Sequence, residues 1–160
     1  MRPSARRHAV VPVTDVLDVV PASALALAPH ESWLIRPLWG SQAVGCLGGP
    51  PKAGKSWLGL DMAISVASAT PCIGRFEFEQ PGPALIYMAE DALAAVRCRI
   101  EGLCRHRHLD IDKLDLHVIT NPTLRLDIPI DLQRLRNTVE RLRPRLLLLD
   151  PLVRLHRVNE

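Results

Sequence analysis

One stretch of eight residues constrains the fold of this 160-residue chain more than any other feature. Residues 49–56 read Gly-Pro-Pro-Lys-Ala-Gly-Lys-Ser, which fits the pattern G-x-x-x-x-G-K-[ST] in full. In such a loop the glycines let the backbone turn its N–H groups inward, so that they form a nest for an anion at the start of a helix. We therefore expect a buried strand before the loop and a helix after it.

The hydrophobic pattern predicts both elements and then repeats the arrangement along the chain. Residues 43–48 form a short apolar run that ends in glycines, which favours a buried strand. From Lys55 to about Ala69 the apolar residues indicate a helix with a broad apolar face. Further strands are predicted at residues 84–89, 114–119 and 146–149, and further helices at residues 91–108 and from Asp131, as N-cap, to Pro144.

Strands without polar alternation, separated by helices, predict an α/β fold with a parallel sheet and helices on both faces. Right-handed crossovers place the carboxyl ends of all such strands at one edge of the sheet. Three of the predicted strands end in glycine or acidic residues, at Gly48-Gly49, Glu90-Asp91 and Asp150. We therefore expect these three positions to meet at one edge, although they lie far apart in the sequence.

Composition limits the class of protein. With 48% hydrophobic and 23% charged residues the chain is typical of a globular protein, and it has no apolar run of the roughly 20 residues that span a membrane. The net charge of +3 is too small to indicate a nucleic-acid partner by itself. Four cysteines without a C-x-x-C pair predict a reduced, cytoplasmic protein.

The chain divides into two predicted parts. Residues 1–30 carry three arginines near the start and are interrupted by Pro3, Pro12, Pro21 and Pro29, which predicts a flexible N-terminal arm. Residues 31–160 hold all the predicted strands and the main helices, and form the predicted domain.

The loop and one distant acid predict a site for a nucleotide with Mg²⁺. Lys55 supplies a positive charge to the β- and γ-phosphates, and the Ser56 hydroxyl is a ligand for Mg²⁺. Asp150 closes a run of four leucines, which is the form expected of the strand that carries the second metal-orienting carboxylate. The alternative for Asp150 is a helix N-cap at the strand end.

Hydrolysis also requires a base that polarises the attacking water. The position directly after Asp150 holds Pro151, so the base has to come from elsewhere. Glu90 is the candidate, because it ends another buried strand at the same edge, and Asp91 ranks second. The alternative for Glu90 is an N-cap of the helix that follows it.

The order of these segments is similar to that of a known family. The segments G-P-P-K-A-G-K-S-W-L, L-I-Y-M-A-E-D and L-L-L-L-D-P-L-V-R-L-H resemble the N-terminal part of the core of RecA-like ATPases of the plasmid RepA type, from about Trp33 to Glu160. The resemblance implies that Glu90, Lys55 and Asp150 are catalytic and that Ser56 and Asp150 hold Mg²⁺. It implies ATP contacts for Gly49, Pro50, Pro51, Lys52, Ala53, Gly54, Lys55, Ser56 and Trp57.

The family acts as hexameric helicase rings, which implies a homo-oligomer, single-stranded DNA as a partner and an arginine finger from the neighbouring subunit. The sequence stops at Glu160, in the middle of the family's core, so we expect an ATPase domain truncated at its C-terminus. Two alternatives stay open, a nucleotide-binding module without turnover and a P-loop kinase. The arginines between residues 134 and 145 favour a solvated helix face over a DNA surface.

Overall fold

The computed structural model of the chain describes residues 19–25, 32–77 and 80–157. The chain divides into two units, residues 1–30 and residues 31–160. In the first unit the described residues hold a single 3-10 turn, Ala22–Ala24. The predicted flexible arm over residues 1–30 lies mostly outside the described residues and stays a prediction.

The second unit is built around a three-stranded parallel sheet, with a separate two-stranded hairpin near its start. The strands are β1 (Trp33–Ile35), β2 (Trp39–Gly40), β3 (Ala84–Met88), β4 (Leu116–Val118) and β5 (Leu146–Asp150). The helices are α1 (Lys55–Ser68), α2 (Leu93–His106) and α3 (Pro129–Leu142), with 3-10 turns at Ile111–Lys113 and Leu152–Arg154. None of the helices among the described residues has both the length and the apolar character to cross a membrane.

The order of the strands in the main sheet is β4-β3-β5, so the fully buried β3 is central. Both pairings are parallel, and the register runs from Ala84 opposite Leu146 to Met88 opposite Asp150. Consecutive parallel strands need crossover connections, which α2 and α3 provide. The fold class predicted from the sequence is confirmed.

Side chains alternate between the two faces of the sheet, and each face has its own hydrophobic cluster. On one face Ile86, Met88 and Leu148 pack in the cluster that also contains the buried residues of α1 and α2. On the other face Tyr87 packs with Leu135 of α3 and with apolar residues from the loops on either side of α3 and β5. Helices therefore cover both faces, as the continuous apolar character of the strands predicts.

Helix α1 runs antiparallel to the strands, and two contacts fix its direction. Near its start, Gly59 lies against Leu148, so closely that a Cβ on Gly59 would be 3.0 Å from both Leu148 methyl carbons. Near its end, the carbonyl of Val66 accepts a hydrogen bond of 3.1 Å from the amide of Gly82, which precedes β3. The first turn of α1 is therefore at the carboxyl edge of the sheet.

A largely buried arginine, Arg107, joins the end of α2 to α1. Arg107 donates hydrogen bonds from Nη2 to Asp61 Oδ2 at 2.8 Å, to Ser65 Oγ at 2.9 Å and to the Pro71 carbonyl at 2.9 Å. The side chains of Arg107 and Asp61 are only 10% and 13% exposed. Because every partner of the guanidinium is polar and close, the buried charge is both paired and hydrogen-bonded.

The predicted strand at residues 43–48 is wrong. The stretch is irregular and mostly exposed, and Val44 is fully exposed. A short apolar run becomes a strand only where another strand's edge pairs with it, and no described strand pairs with this segment. Gly45 instead lies under the indole of Trp39, where a Cβ would come within 2.7 Å of the ring.

Two smaller features also differ from the prediction. Helix α3 begins at Pro129, with Ile128 as N-cap, so Asp131 is not the cap. Proline suits the first helical position because its missing N–H has no partner there in any case, and the Asp131 carboxylate accepts a hydrogen bond from the Arg125 amide instead. The β1–β2 hairpin was not predicted, because its strands are only three and two residues long.

The tight contact at Gly59 leads to a prediction about stability, for which Gly102, a second glycine within a helix, is the control. We expect Gly102→Ala to raise the free energy of unfolding by about 0.5–1 kcal/mol, because the exposed α2 position has open space and alanine favours helix. We expect Gly59→Ala to lower it by about 1–2 kcal/mol, because the new methyl group presses α1 away from Leu148. Urea unfolding of both variants measures the two values, and a gain for both would contradict the packing described for α1.

The four thiols divide into two exposed and two buried groups, which chemical labelling can test. Burial, followed by a hydrogen bond to the Asp61 carboxylate and by its charge, raises the pKa of the Cys72 thiol from 9.0 to about 12. We expect Cys46 and Cys98 to react with a disulfide reagent at pH 8, and Cys72 and Cys104 to react only on unfolding. Labelling of Cys72 in the folded chain at the rate of Cys46 would contradict this.

The same shift has a consequence for stability at high pH. The unfolded chain releases the Cys72 proton at a lower pH than the folded chain, so ionisation favours unfolding as the pH rises from 9.0 toward 12. Over this pH interval the free energy of unfolding should therefore fall less in Cys72→Ala than in the parent chain. Denaturant unfolding at a series of pH values measures this difference.

Candidate active site

The glycine-rich loop leaves the first turn of α1 without a cap. Gly54, the N-cap residue of α1, has a left-handed backbone with φ of 85°, and Lys52 also has positive φ, at 63°. No side chain caps the helix, and the backbone N–H groups of residues 54–57 find no acceptor among the described residues. Uncapped N–H groups at a helix start carry partial positive charge, so this loop fits a phosphate group.

Lys55 folds back over the loop. Its Nζ donates hydrogen bonds to the carbonyl of Gly49 at 2.7 Å and to the carbonyl of Pro50 at 2.8 Å. The ammonium is thus held at the mouth of the loop, next to the uncapped helix start. An ammonium group has three donors on a flexible stem, so it can exchange these carbonyls for phosphate oxygens without a change in the helix.

Ser56 and Asp150 lie at the same edge of the sheet, on the same face. Asp150 follows Leu148 by two positions in β5, so its side chain is on the face that packs against α1. Ser56 is three residues before Gly59, which contacts Leu148, and lies in the first turn of α1. Neither the Ser56 hydroxyl nor the Asp150 carboxylate has a hydrogen-bond or ion-pair partner among the described residues.

This pair of oxygen donors suits Mg²⁺, which takes one or two protein ligands and completes its shell with water and phosphate. No group of three or more histidine, cysteine, aspartate or glutamate side chains in the described part of the chain could hold a metal by itself. A metal at this edge would therefore depend on a bound phosphate for part of its coordination.

Glu90 lies beside Asp150. In the parallel pairing Met88 is opposite Asp150, and the amide of Ala89 donates a hydrogen bond of 2.7 Å to the Asp150 carbonyl. The next residue along is Glu90, which is exposed at the carboxyl edge. Its Oε1 accepts a hydrogen bond of 3.1 Å from Nε of Arg154, in the 3-10 turn that follows β5.

Asp91 has a different environment from its neighbour. Arg99 of α2 holds its carboxylate in a bidentate ion pair, with Nη2 2.9 Å from Oδ1 and Nη1 2.5 Å from Oδ2. The same guanidinium lies over the ring of Trp57 in α1, 5.7 Å from its centroid. Asp91 therefore joins the end of β3 to both helices of this face, and its oxygens are occupied.

The structure thus brings the glycine-rich loop, Asp150 and Glu90 to one edge of the sheet. The loop arrives there through α1 rather than through the predicted strand at residues 43–48. Sequence reasoning missed Arg99 and Arg154, since neither belongs to a recognised spacing. Two cavities of about 220 and 230 Å³, one between α2 and β4 and one beside the start of α3, are lined by none of these residues.

The comparison with protein families agrees with this geometry. A family model described as an AAA domain matches residues 11–160, which is nearly the whole chain. No curated protein matches the chain. Domains of this family bind nucleotides and in general use ATP with Mg²⁺, for which the uncapped loop, Lys55, Ser56 and Asp150 are suitable groups. The chain therefore belongs to the AAA-type family of P-loop ATPases.

Proposed function

We propose that this chain binds MgATP at the carboxyl edge of its sheet and hydrolyses it, as the ATPase core of a DNA helicase or DNA-associated ATPase of the RepA type. The observation that carries the proposal is the pairing of β3 with β5, which sets Glu90 beside Asp150 while α1 brings the glycine-rich loop to the same edge. The proposal assigns to this edge the three kinds of group that phosphate chemistry needs: donors, a metal-orienting carboxylate and a base.

Binding uses the loop and the start of α1. The N–H groups of residues 54–57 donate to the phosphate oxygens, and the helix dipole adds to their positive potential. Lys55 turns from the loop carbonyls to the β- and γ-phosphates. Mg²⁺, held by Ser56 and Asp150, would neutralise the charge that develops on the phosphate oxygens.

Glu90 provides the base for hydrolysis. Its carboxylate accepts a proton from the water that attacks the γ-phosphorus, and the products are ADP and inorganic phosphate. Glu90 suits this role better than Asp91, because Arg99 holds both oxygens of Asp91 whereas Glu90 is exposed and has one hydrogen bond.

The helicase assignment is supported by the order of the motifs, and it implies a homo-oligomer on single-stranded DNA. The exposed arginines of α3 do not add support. Arg134 and Arg141 share one flank of the helix, Arg136 lies on the other, and the buried Leu135 lies between them. Such an arrangement suits a helix that shields its apolar face with long side chains.

An assay of ATP hydrolysis tests the helicase assignment. Stimulation of hydrolysis by single-stranded DNA, together with a specific activity that rises with protein concentration, would support a ring-forming enzyme.

Lys55→Ala tests the phosphate site. We expect it to weaken MgATP binding by about ten-fold or more, because it removes the cation at the mouth of the loop. Calorimetric titration of the folded chain with MgATP measures this. The matched control is Lys113→Ala, which removes an exposed lysine from the turn after α2. Equal affinities for the parent chain and Lys55→Ala would place the nucleotide elsewhere.

Glu90→Gln tests turnover separately from binding. We expect hydrolysis, measured as release of inorganic phosphate, to fall by about 100-fold or more while MgATP still binds, because the amide cannot accept the proton. Asp91→Asn is the comparison, and we expect it to retain most of the activity. A larger loss in Asp91→Asn than in Glu90→Gln would reverse the assignment.

The same assay on the parent chain distinguishes the two alternative functions. MgATP binding without release of phosphate would indicate a binding module, and transfer of phosphate to an acceptor would indicate a kinase.

A further inference from the structure

Arg154 contacts the site, and the mechanism proposed above for ATP binding and hydrolysis gives it no role. It ends the 3-10 turn Leu152–Arg154, four residues after Asp150, and reaches across to the end of β3. Its Nε donates one hydrogen bond to Glu90 Oε1 at 3.1 Å, over a separation of 64 residues in the sequence. Both side chains are more than half exposed, at 64% and 54%.

The two acidic residues at the end of β3 are held in different ways. Asp91 is in a two-point ion pair with Arg99, both side chains are less than one third exposed, and the guanidinium also rests on Trp57. Glu90 has a single point of contact with Arg154 in water. An exposed one-point pair is weak and is screened by salt, so another anion can displace it. The first pair is suited to fix the backbone and the second to exchange partners.

The guanidinium of Arg154 retains donors for such an exchange. Its Nη groups make no hydrogen bond to any of the described residues. A guanidinium presents its N–H groups as a planar fork that matches the oxygens of a phosphate. Because Arg154 follows Asp150 so closely, it lies at the carboxyl edge of the sheet, the edge at which α1 and the glycine-rich loop also lie.

We infer that Arg154 is a positioning residue that holds Glu90 until MgATP binds and then transfers to the γ-phosphate. The transfer releases the Glu90 carboxylate, which can then accept the proton of the attacking water. ADP lacks the γ-phosphate, so with ADP bound Arg154 stays on Glu90. This inference rests on the proposed function and adds to it a device, within one chain, that distinguishes ATP from ADP.

Competition between Glu90 and phosphate for one guanidinium leads to a specific pattern of affinities. Arg154→Ala should weaken MgATP binding by about ten-fold and change MgADP binding by less than about two-fold. Glu90→Gln should strengthen MgATP binding by about three-fold, because it removes the competitor. In the Arg154→Ala background Glu90→Gln should have no such effect, since there is no guanidinium left to release. Arg154→Lys should restore part of the lost affinity.

Titration calorimetry of the 160-residue chain with MgATP and with MgADP measures this cycle. The matched control is Arg136→Ala, which removes an exposed arginine on α3. A loss in Arg154→Ala that is equal for ATP and ADP, or an effect of Glu90→Gln that is equal in both backgrounds, would overturn the inference. If the parent chain binds MgATP through Lys55 and Arg154→Ala binds it as well, only the inference fails. If the parent chain binds no MgATP, the proposed function fails with it.

Discussion

The parallel hydrogen-bonded pairing of β3 with β5 is the constraint on which the site depends. Its register is fixed from Ala84 opposite Leu146 to Met88 opposite Asp150, and the amide of Ala89 extends the ladder by one bond. A slip of one residue would turn every side chain of β5 to the other face. Asp150 would then leave the face of α1, and Leu149 would take its place. The leucines of β5 pack in two separate clusters, and a hydrogen bond of 2.7 Å from the Arg145 amide to the Pro83 carbonyl extends the observed register at the other end.

The position of α1 fixes the glycine-rich loop relative to β5. Only a residue without a side chain lets the helix approach Leu148 as closely as Gly59 does. The other end of the helix is held through Asp61 and Ser65, both of which accept hydrogen bonds from Arg107. The helix is thus fixed near both ends, and its uncapped first turn has little freedom to move away from the carboxyl edge. The proposed phosphate site and the packing of the sheet therefore depend on the same contacts.

The sequence predicted the helices and strands that depend on local pattern. It did not predict the structure of segments that depend on a partner distant in the sequence. The helix at residues 55–68 and the strands ending at Met88 and Asp150 follow from apolar runs bounded by glycine, proline or acidic residues. The run at residues 43–48 has a similar composition, yet a strand requires an edge to pair with, which no property of the run itself reveals. The N-cap of α3 was placed three residues late, at Asp131 instead of Ile128, because Pro129 competes with Asp131 as the signal for a helix start.

The ion pairs of Arg99 and Arg154 are the contacts that the sequence alone could least predict. Each is one of many arginines in the sequence, and only the fold brings one to Asp91 and the other to Glu90. Two adjacent carboxylates of the same charge thereby acquire different properties. Asp91 has both oxygens bound and is joined through Arg99 to the indole beside the glycine-rich loop, so it fixes the end of β3 relative to α1. Glu90 stands on that fixed backbone with an exposed carboxylate held at one point. The base that we propose has to be well placed and still able to change its partner, and Asp91 would supply the first condition while the exposed Glu90 would supply the second.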